Sequence, residues 1–168
     1  MSDFVLSQLL VAVVLCFDVA SFQFRDKRKV LACLVFSALL LGVHFYLVEA
    51  YTAATLGFIG ALRFATAIFS HARWLLAVFI TLVLINGVIS FAGWITVLAT
   101  TGALITTTAS FLASDQKFRQ FMMLGTVVWI VHNAIAGSPA AVLLEMIFLA
   151  SNLWGYYRFY IRDGFQKS

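Results

Sequence analysis

The chain has 168 residues, of which 63% are hydrophobic and 11% are charged. Its mean hydropathy is +1.01, whereas about a quarter of the residues in a typical soluble domain are charged. This composition excludes an ordinary soluble domain and predicts an integral membrane protein that has the lipid bilayer as a partner. The net charge of +4 is explained by membrane topology and by contact with anionic lipids, so we expect no nucleic-acid partner.

Seven apolar segments have about the length that a transmembrane helix needs, which is about 20 residues. The first is not expected to be a cleaved signal peptide, because it lacks a basic leader and contains Asp18. The fold class is therefore predicted to be all-α, a polytopic membrane protein with residues 1–168 in a single membrane domain. The predicted helices are residues 4–22, 30–48, 53–70, 74–90, 94–112, 121–136 and 140–157.

The basic residues predict the orientation of these helices. Ten of the eleven follow the first, third, fifth and seventh helices: Arg25, Lys27, Arg28, Lys29, Arg73, Lys117, Arg119, Arg158, Arg162 and Lys167. Because cytoplasmic loops are enriched in Lys and Arg, the N-terminus is predicted to lie outside and the C-terminus in the cytoplasm. Arg63 is the exception, since it falls inside the third helix, close to the middle of the bilayer.

An internal repeat relates the first three predicted helices to the last three. At an offset of 89 residues, Ala20-Ser21-Phe22 matches Ala109-Ser110-Phe111, and at an offset of 88, Val43-His44 matches Val131-His132. Both repeats run in the same direction across the membrane, so the fourth helix is a linker. The prediction is a 3+1+3 arrangement of two parallel triple-helix bundles, with residues 1–73 as the first repeat, 74–91 as the linker helix and 92–168 as the second repeat.

Three stretches carry a resemblance to a known family: SFQFRDKRKV, WIVHNAIAGSP and LLEMIFLASNLWGYYR. In them the chain resembles the YgjV-type bacterial inner-membrane protein family, which implies a location in the bacterial inner membrane. That family is similar to the SWEET and PQ-loop group, which includes sugar transporters, mainly in its 3+1+3 topology. The chain departs from those transporters because its single proline, Pro139, lies in a predicted outer loop and no Pro-Gln dipeptide is present. This departure argues against a proline hinge of their type.

Arg63 falls on Asn152 at the 89-residue offset. SWEET-like transporters place paired asparagines on their third and seventh helices, so the resemblance implies that Arg63 and Asn152 face a central solute. A guanidinium favours an anion, and we therefore predict an anionic metabolite as solute, with Trp154 as a further binding residue. The alternative is that Arg63 forms a structural ion pair with Asp18, because a charge inside the membrane needs a counter-charge.

Other ionisable residues of the predicted helices are candidates for ion pairing or proton coupling. His44 and His132 occupy matching positions, where a histidine can relay protons or form hydrogen bonds between helices. Glu145 is a further candidate partner for a buried cation. We predict no metal site, because no third ligand is obvious beyond Glu49 or Glu145, and we expect no cofactor.

The sequence carries no enzyme motif, such as Gly-x-Ser-x-Gly, His-Glu-x-x-His, a phosphate loop or Cys-x-x-Cys, so we expect no catalytic residues. An intramembrane hydrolase built from His44, His132 and Glu145 is the enzymatic alternative. The leading hypothesis is a small-solute transporter that works by alternating access between the two bundles. The main alternative is a receptor or sensor that binds its ligand without transporting it. The sequence leaves open whether the chain works alone or as a homo-oligomer.

Overall fold

The computed structural model describes residues 3–49 and 51–162, with the side-chain surroundings of all of these except residues 3–5, 7, 8, 51–53 and 140. Over these ranges the chain forms seven α-helices and no strand, which confirms the all-helical fold class. A π-helical segment, Tyr157–Arg162, directly continues the last helix. The helices are α1 (Asp3–Ser21), α2 (Lys27–Leu47), α3 (Tyr51–Phe69), α4 (Arg73–Ile89), α5 (Trp94–Phe111), α6 (Asp115–Ile135) and α7 (Pro139–Tyr156).

Capping residues set the start of α6, and they place it six residues before the predicted residue 121. The side chain of Ser114 accepts a hydrogen bond from the backbone N–H of Lys117 at 3.3 Å, and the helix begins at Asp115. In α2 the carboxylate of Asp26 accepts from the backbone N–H of Arg28 at 2.9 Å in the same way. Polar residues are favoured at such N-terminal positions, so each helix extends beyond its apolar segment.

Two helices in the described part of the chain are long and apolar enough to cross a membrane, judged by length and composition: α2 and α5. Shorter apolar helical stretches are Leu9–Ser21, Ala54–Phe69 and Arg73–Ile89. The crossing of the membrane by all seven helices, with the N-terminus outside, stays a prediction.

The chain divides into two compact units, Met1–Phe69 and Ser70–Ser168. In the first unit, α2 packs against both α1 and α3. In the second unit, α6 packs against both α5 and α7, while α4 packs against α5. The helix predicted as a linker is thus grouped with the last three helices, and each unit has one helix that lies between two others.

Small residues allow close approach between neighbouring helices within each unit. An added Cβ atom at Gly57 of α3 would lie 2.8 Å from the Cα atom of Gly42 in α2, and one at Gly125 of α6 would lie 2.5 Å from Cγ2 of Thr106 in α5. The Thr106 hydroxyl donates to the carbonyl of Gly102 in its own helix at 3.1 Å. Because its hydrogen bond is local, this threonine acts as a small packing residue.

Candidate functional site

Asp18 lies at the mid-height of the first unit. Its Oδ1 atom accepts a hydrogen bond from Oγ of Ser37 at 2.5 Å, and the buried Ser37 is the central residue of α2. Ser37 lies ten residues after the start of α2, or about 15 Å along the helix. The helix α1 ends at Ser21, only three residues after Asp18. The connecting residues 22–26 therefore have to run alongside the first turns of α2 to reach its start.

Arg63 lies at almost the same height as Ser37. The contact between α2 and α3 is at Gly42 and Gly57, and the two neighbouring helices run antiparallel. Five residues before Gly42 is Ser37, and five residues after Gly57 is Leu62. Arg63 is the next residue, so its Cα atom lies about 1.5 Å from the level of Ser37. Asp18, Ser37 and Arg63 therefore share one level of the first unit.

The contacts of Arg63 include the aromatic ring next to it. The Cζ atom of its guanidinium lies 4.5 Å from the centroid of the Phe64 ring, and its Nε atom is buried. The ring face attracts the cation and compensates part of the cost of removing it from water. For Asp18, the structure gives a hydroxyl of Ser37 as the partner of the carboxylate, so the pair of Arg63 with Asp18 stays a prediction.

Asn152 is fully buried in the second unit. Its Nδ2 atom donates to the backbone carbonyl of Arg119 at 3.0 Å, which joins α7 to α6. A carbonyl can only accept, so this bond fixes the orientation of the amide and directs Oδ1 elsewhere. Within the described part of the chain, Oδ1 is buried and has no hydrogen-bond partner. Asn152 therefore has an acceptor oxygen that its contacts within the described residues leave unused, a property that the sequence did not indicate.

Asn152 lies closer to the end of its unit than Arg63 does. Arg119, its partner, is the fifth residue of α6, whereas Gly125 is the midpoint of that helix. Asn152 is therefore about six residues, or about 9 Å, from the mid-height of the second unit, while Arg63 is level with the midpoint of α2. The 89-residue offset between two sequence positions gives no information on how far one helix is displaced along its neighbour.

Glu145 is the ionisable residue of α7 that lies near the mid-height of the second unit. Counting six residues back along α7 from Asn152 reaches Met146, which is level with Gly125. Glu145 is next to it and is half-buried. The predicted ion-pair candidate of α7 thus lies near the mid-height of the second unit.

A buried charged cluster that was not predicted lies where α6 begins. Arg119 is 0% exposed, and its Nε atom donates to Oδ2 of Asp115 at 2.9 Å. The hydroxyl of Tyr160 donates to the same carboxylate oxygen, and the Cζ atom of Arg119 lies 5.3 Å from the centroid of the Phe159 ring. The i, i+4 spacing of Asp115 and Arg119 is a signal for such a pair. The cluster of Asp115, Arg119 and Tyr160 joins α6 to the π-helical segment.

The aromatic residues near the end of α7 have different surroundings. The hydroxyl of Tyr156 accepts from Nε2 of Gln116 at 3.0 Å and from Nε2 of Gln120 at 2.8 Å. Trp154 is 55% exposed, and its ring centroid lies 6.1 Å from that of Tyr157. Tyr156 thus adds to the contact between α6 and α7, whereas the indole of Trp154 remains accessible.

The two candidate histidines are half-buried and lie in different units. The ring of His44 lies 5.2 Å from that of Phe45. Nδ1 of His132 lies 3.0 Å from Oδ1 of Asn133, and its ring meets Trp129 edge-on at a centroid distance of 5.2 Å. No three His, Cys, Asp or Glu side chains of the described residues are grouped as ligands of a metal ion.

Comparisons with known proteins agree with the composition. The family model Imp-YgjV, described as a bacterial inner membrane protein, matches residues 5–163. The inner membrane protein YgjV of Escherichia coli (strain K12) is 28% identical over 160 residues, which cover 95% of this chain and 87% of that protein. No solved structure matches the chain. The family resemblance and the location in the inner membrane are thereby confirmed, since the match extends over nearly the whole sequence. This chain belongs to the Imp-YgjV family of bacterial inner membrane proteins.

Proposed function

We propose that this inner-membrane protein transports a small solute with an anionic group by alternating access. The observation that carries the proposal is the position of Arg63, a guanidinium at the mid-height of a three-helix unit. A cation at such a depth in a membrane costs at least about 2.5 to 3.5 kcal/mol, and intramembrane charges commonly mark solute or ion pathways. The planar guanidinium binds a carboxylate or phosphate with two parallel hydrogen bonds.

Asn152 is proposed as a solute contact in the second unit. Its amide N–H is bonded to the carbonyl of Arg119 and its buried Oδ1 atom is an acceptor, so the group that it binds has to be a donor. A hydroxyl or an ammonium group of a solute suits this acceptor. Hydroxy acids and amino acids have this chemistry.

The proposal includes a SWEET-like architecture of seven transmembrane helices, with the N-terminus outside and the C-terminus in the cytoplasm. The equal lengths of the two middle helices support it, because α2 and α6 both have 21 residues and each packs against two flanking helices. The ends of α1 and α5 support it as well. Ser21 and Phe22 are buried, and so are Ser110 and Phe111, their counterparts at the offset of 89.

A receptor or sensor that binds such a solute without transporting it is the second candidate. The observation that favours it is the position of Pro139, the single proline, which is the first residue of α7. A proline at that position fits a regular helix. No helix can therefore bend at an internal proline, as a hinge of the sugar-transporter type requires.

The test is solute uptake by the purified full chain in liposomes. Labelled lactate, malate and glutamate serve in turn as probes, with Arg63→Met as the main variant and Arg73→Met, an exposed basic residue at the start of α4, as the matched control. We expect uptake of at least one probe, reduced at least tenfold in Arg63→Met and retained in Arg73→Met. Equal uptake in Arg63→Met and wild type contradicts the role of Arg63, and binding of a probe without uptake identifies a receptor.

A further inference from the structure

We infer that Asp18 and Ser37 form a proton-binding site at the mid-height of the first unit, and that its proton moves with the solute. The proton-binding site depends only on contacts within the first unit. The coupling rests on the proposed transport function, and the two parts of the inference are tested by separate measurements.

Ser37, the partner of the Asp18 carboxylate, can form a hydrogen bond to this group both when it is ionised and when it is protonated. When Asp18 is ionised, the hydroxyl of Ser37 donates to its Oδ1 atom, which lies 2.5 Å away. When the carboxylate takes a proton from a hydronium ion and leaves a water molecule, its new O–H group can donate to Oγ of Ser37. A hydroxyl is a donor and an acceptor, whereas arginine and lysine can only donate. Ser37 therefore supports both states of Asp18.

In the described parts of α2 and α3, the charged and titratable groups nearest the height of Asp18 have defined positions. On α2, Cys33 lies one turn from Ser37 on the same side of the helix and within electrostatic reach of Asp18, and His44 lies two turns away in the other direction. On α3, Arg63 shares the level of Ser37. Among these groups, Arg63 is the permanent cation at the height of the carboxylate.

The position of Arg63 provides a physical route for coupling. An anionic solute at the guanidinium brings a negative charge to the level of Asp18, and a negative charge close to a carboxyl group favours its protonated form. The protonated carboxyl then keeps its hydrogen bond to Ser37. One anion and one proton enter the same unit together, so little net charge is added to the membrane interior.

The proton site is tested by infrared difference spectroscopy of the full chain in lipid vesicles, titrated from acidic to basic pH without solute. We expect the carbonyl band of a protonated carboxyl to appear on acidification in the wild type and to be lost in Asp18→Asn. In Ser37→Ala the midpoint of this band should move by about one pH unit, and Ser37→Thr, which keeps the hydroxyl, should restore it. An unchanged band in Asp18→Asn, or an unchanged midpoint in Ser37→Ala, overturns the site.

The coupling is tested in liposomes that contain a pH-sensitive dye, with lactate, malate and glutamate as probes. We expect protons to accompany the transported probe in the wild type, and Asp18→Asn to take up the probe with loss of the proton movement. Proton movement that persists in Asp18→Asn overturns the coupling. A titrating Asp18 in a protein that moves none of the probes also overturns it, and in that case the proton site stands while the proposed transport fails.

Discussion

The side-chain amide of Asn152 donates to the backbone carbonyl of Arg119 at 3.0 Å, and the Arg119 side chain is in turn paired with Asp115. Asn152, Arg119 and Asp115 of the second unit are thus joined into a network near the start of α6. In the first unit, Asp18 bonds instead to Ser37 at the middle of α2. These two sets of contacts therefore lie at different heights, each measured within its own unit.

Replacing Asn152 with alanine should destabilise the protein by about 1 to 3 kcal/mol, because the hydrogen bond between α7 and α6 is lost and a small cavity remains. Thermal unfolding in detergent, followed by circular dichroism, measures this loss. Leu153→Ala is the matched control, since Leu153 is the next residue and is 51% exposed. Equal melting temperatures of the two variants would show that the bond contributes little.

Replacing Asp115 with alanine should loosen the π-helical segment, since Arg119 and Tyr160 lose their common partner. Removing one member of a buried pair costs about 3 to 5 kcal/mol, because the other charge stays behind. We expect the backbone amides of residues 157–162 to exchange with deuterium at least several-fold faster, as measured by mass spectrometry. Asp26→Ala removes the same charge from the start of α2 and should leave this exchange unchanged. Slow exchange in Asp115→Ala would contradict the role of the pair.

A methyl group at Gly57 should force α2 and α3 apart, because its nearest neighbour would be the backbone of Gly42 at 2.8 Å. We expect Gly57→Ala to destabilise the protein by about 1 to 3 kcal/mol. Gly60→Ala is one turn along the same helix and meets no atom within 4 Å, so it should be neutral or stabilise by up to about 1 kcal/mol. Thermal unfolding compares the melting temperatures of the two variants. Equal melting temperatures would mean that the space between Gly57 and Gly42 can accept a methyl group.

Reporter fusions should reveal the proposed topology. Alkaline phosphatase folds only outside the cytoplasm, where its disulfides form, so a fusion after Gly137 should be active and one after Arg73 should be inactive. Green fluorescent protein joined after Ser168 should be fluorescent, as expected for a cytoplasmic end. Phosphatase activity at both internal positions would contradict the alternation of loops that the basic residues predict.

The sequence predicted the existence of all seven helices, and most of their ends to within two residues, because apolar composition acts residue by residue along the chain. The start of α6 was placed too late, since the apolar segment begins at Phe121 but the cap at Ser114 starts the helix earlier. The Asp18 carboxylate was identified from the cost of placing a charge among apolar residues, whereas its partner Ser37 was not.

Composition and the length of the apolar segments by themselves determined that this is a helical membrane protein, and the charge of Arg63 marked it as a candidate site. Only the tertiary structure decided that Arg63 shares a level with Asp18 and Ser37, that Asn152 is tied to Arg119, and that Glu145 lies near the middle of its unit. The physical reason is that hydropathy and helix propensity belong to each residue and its neighbours along the chain. The partners of a side chain depend on how far one helix is displaced and rotated against the next.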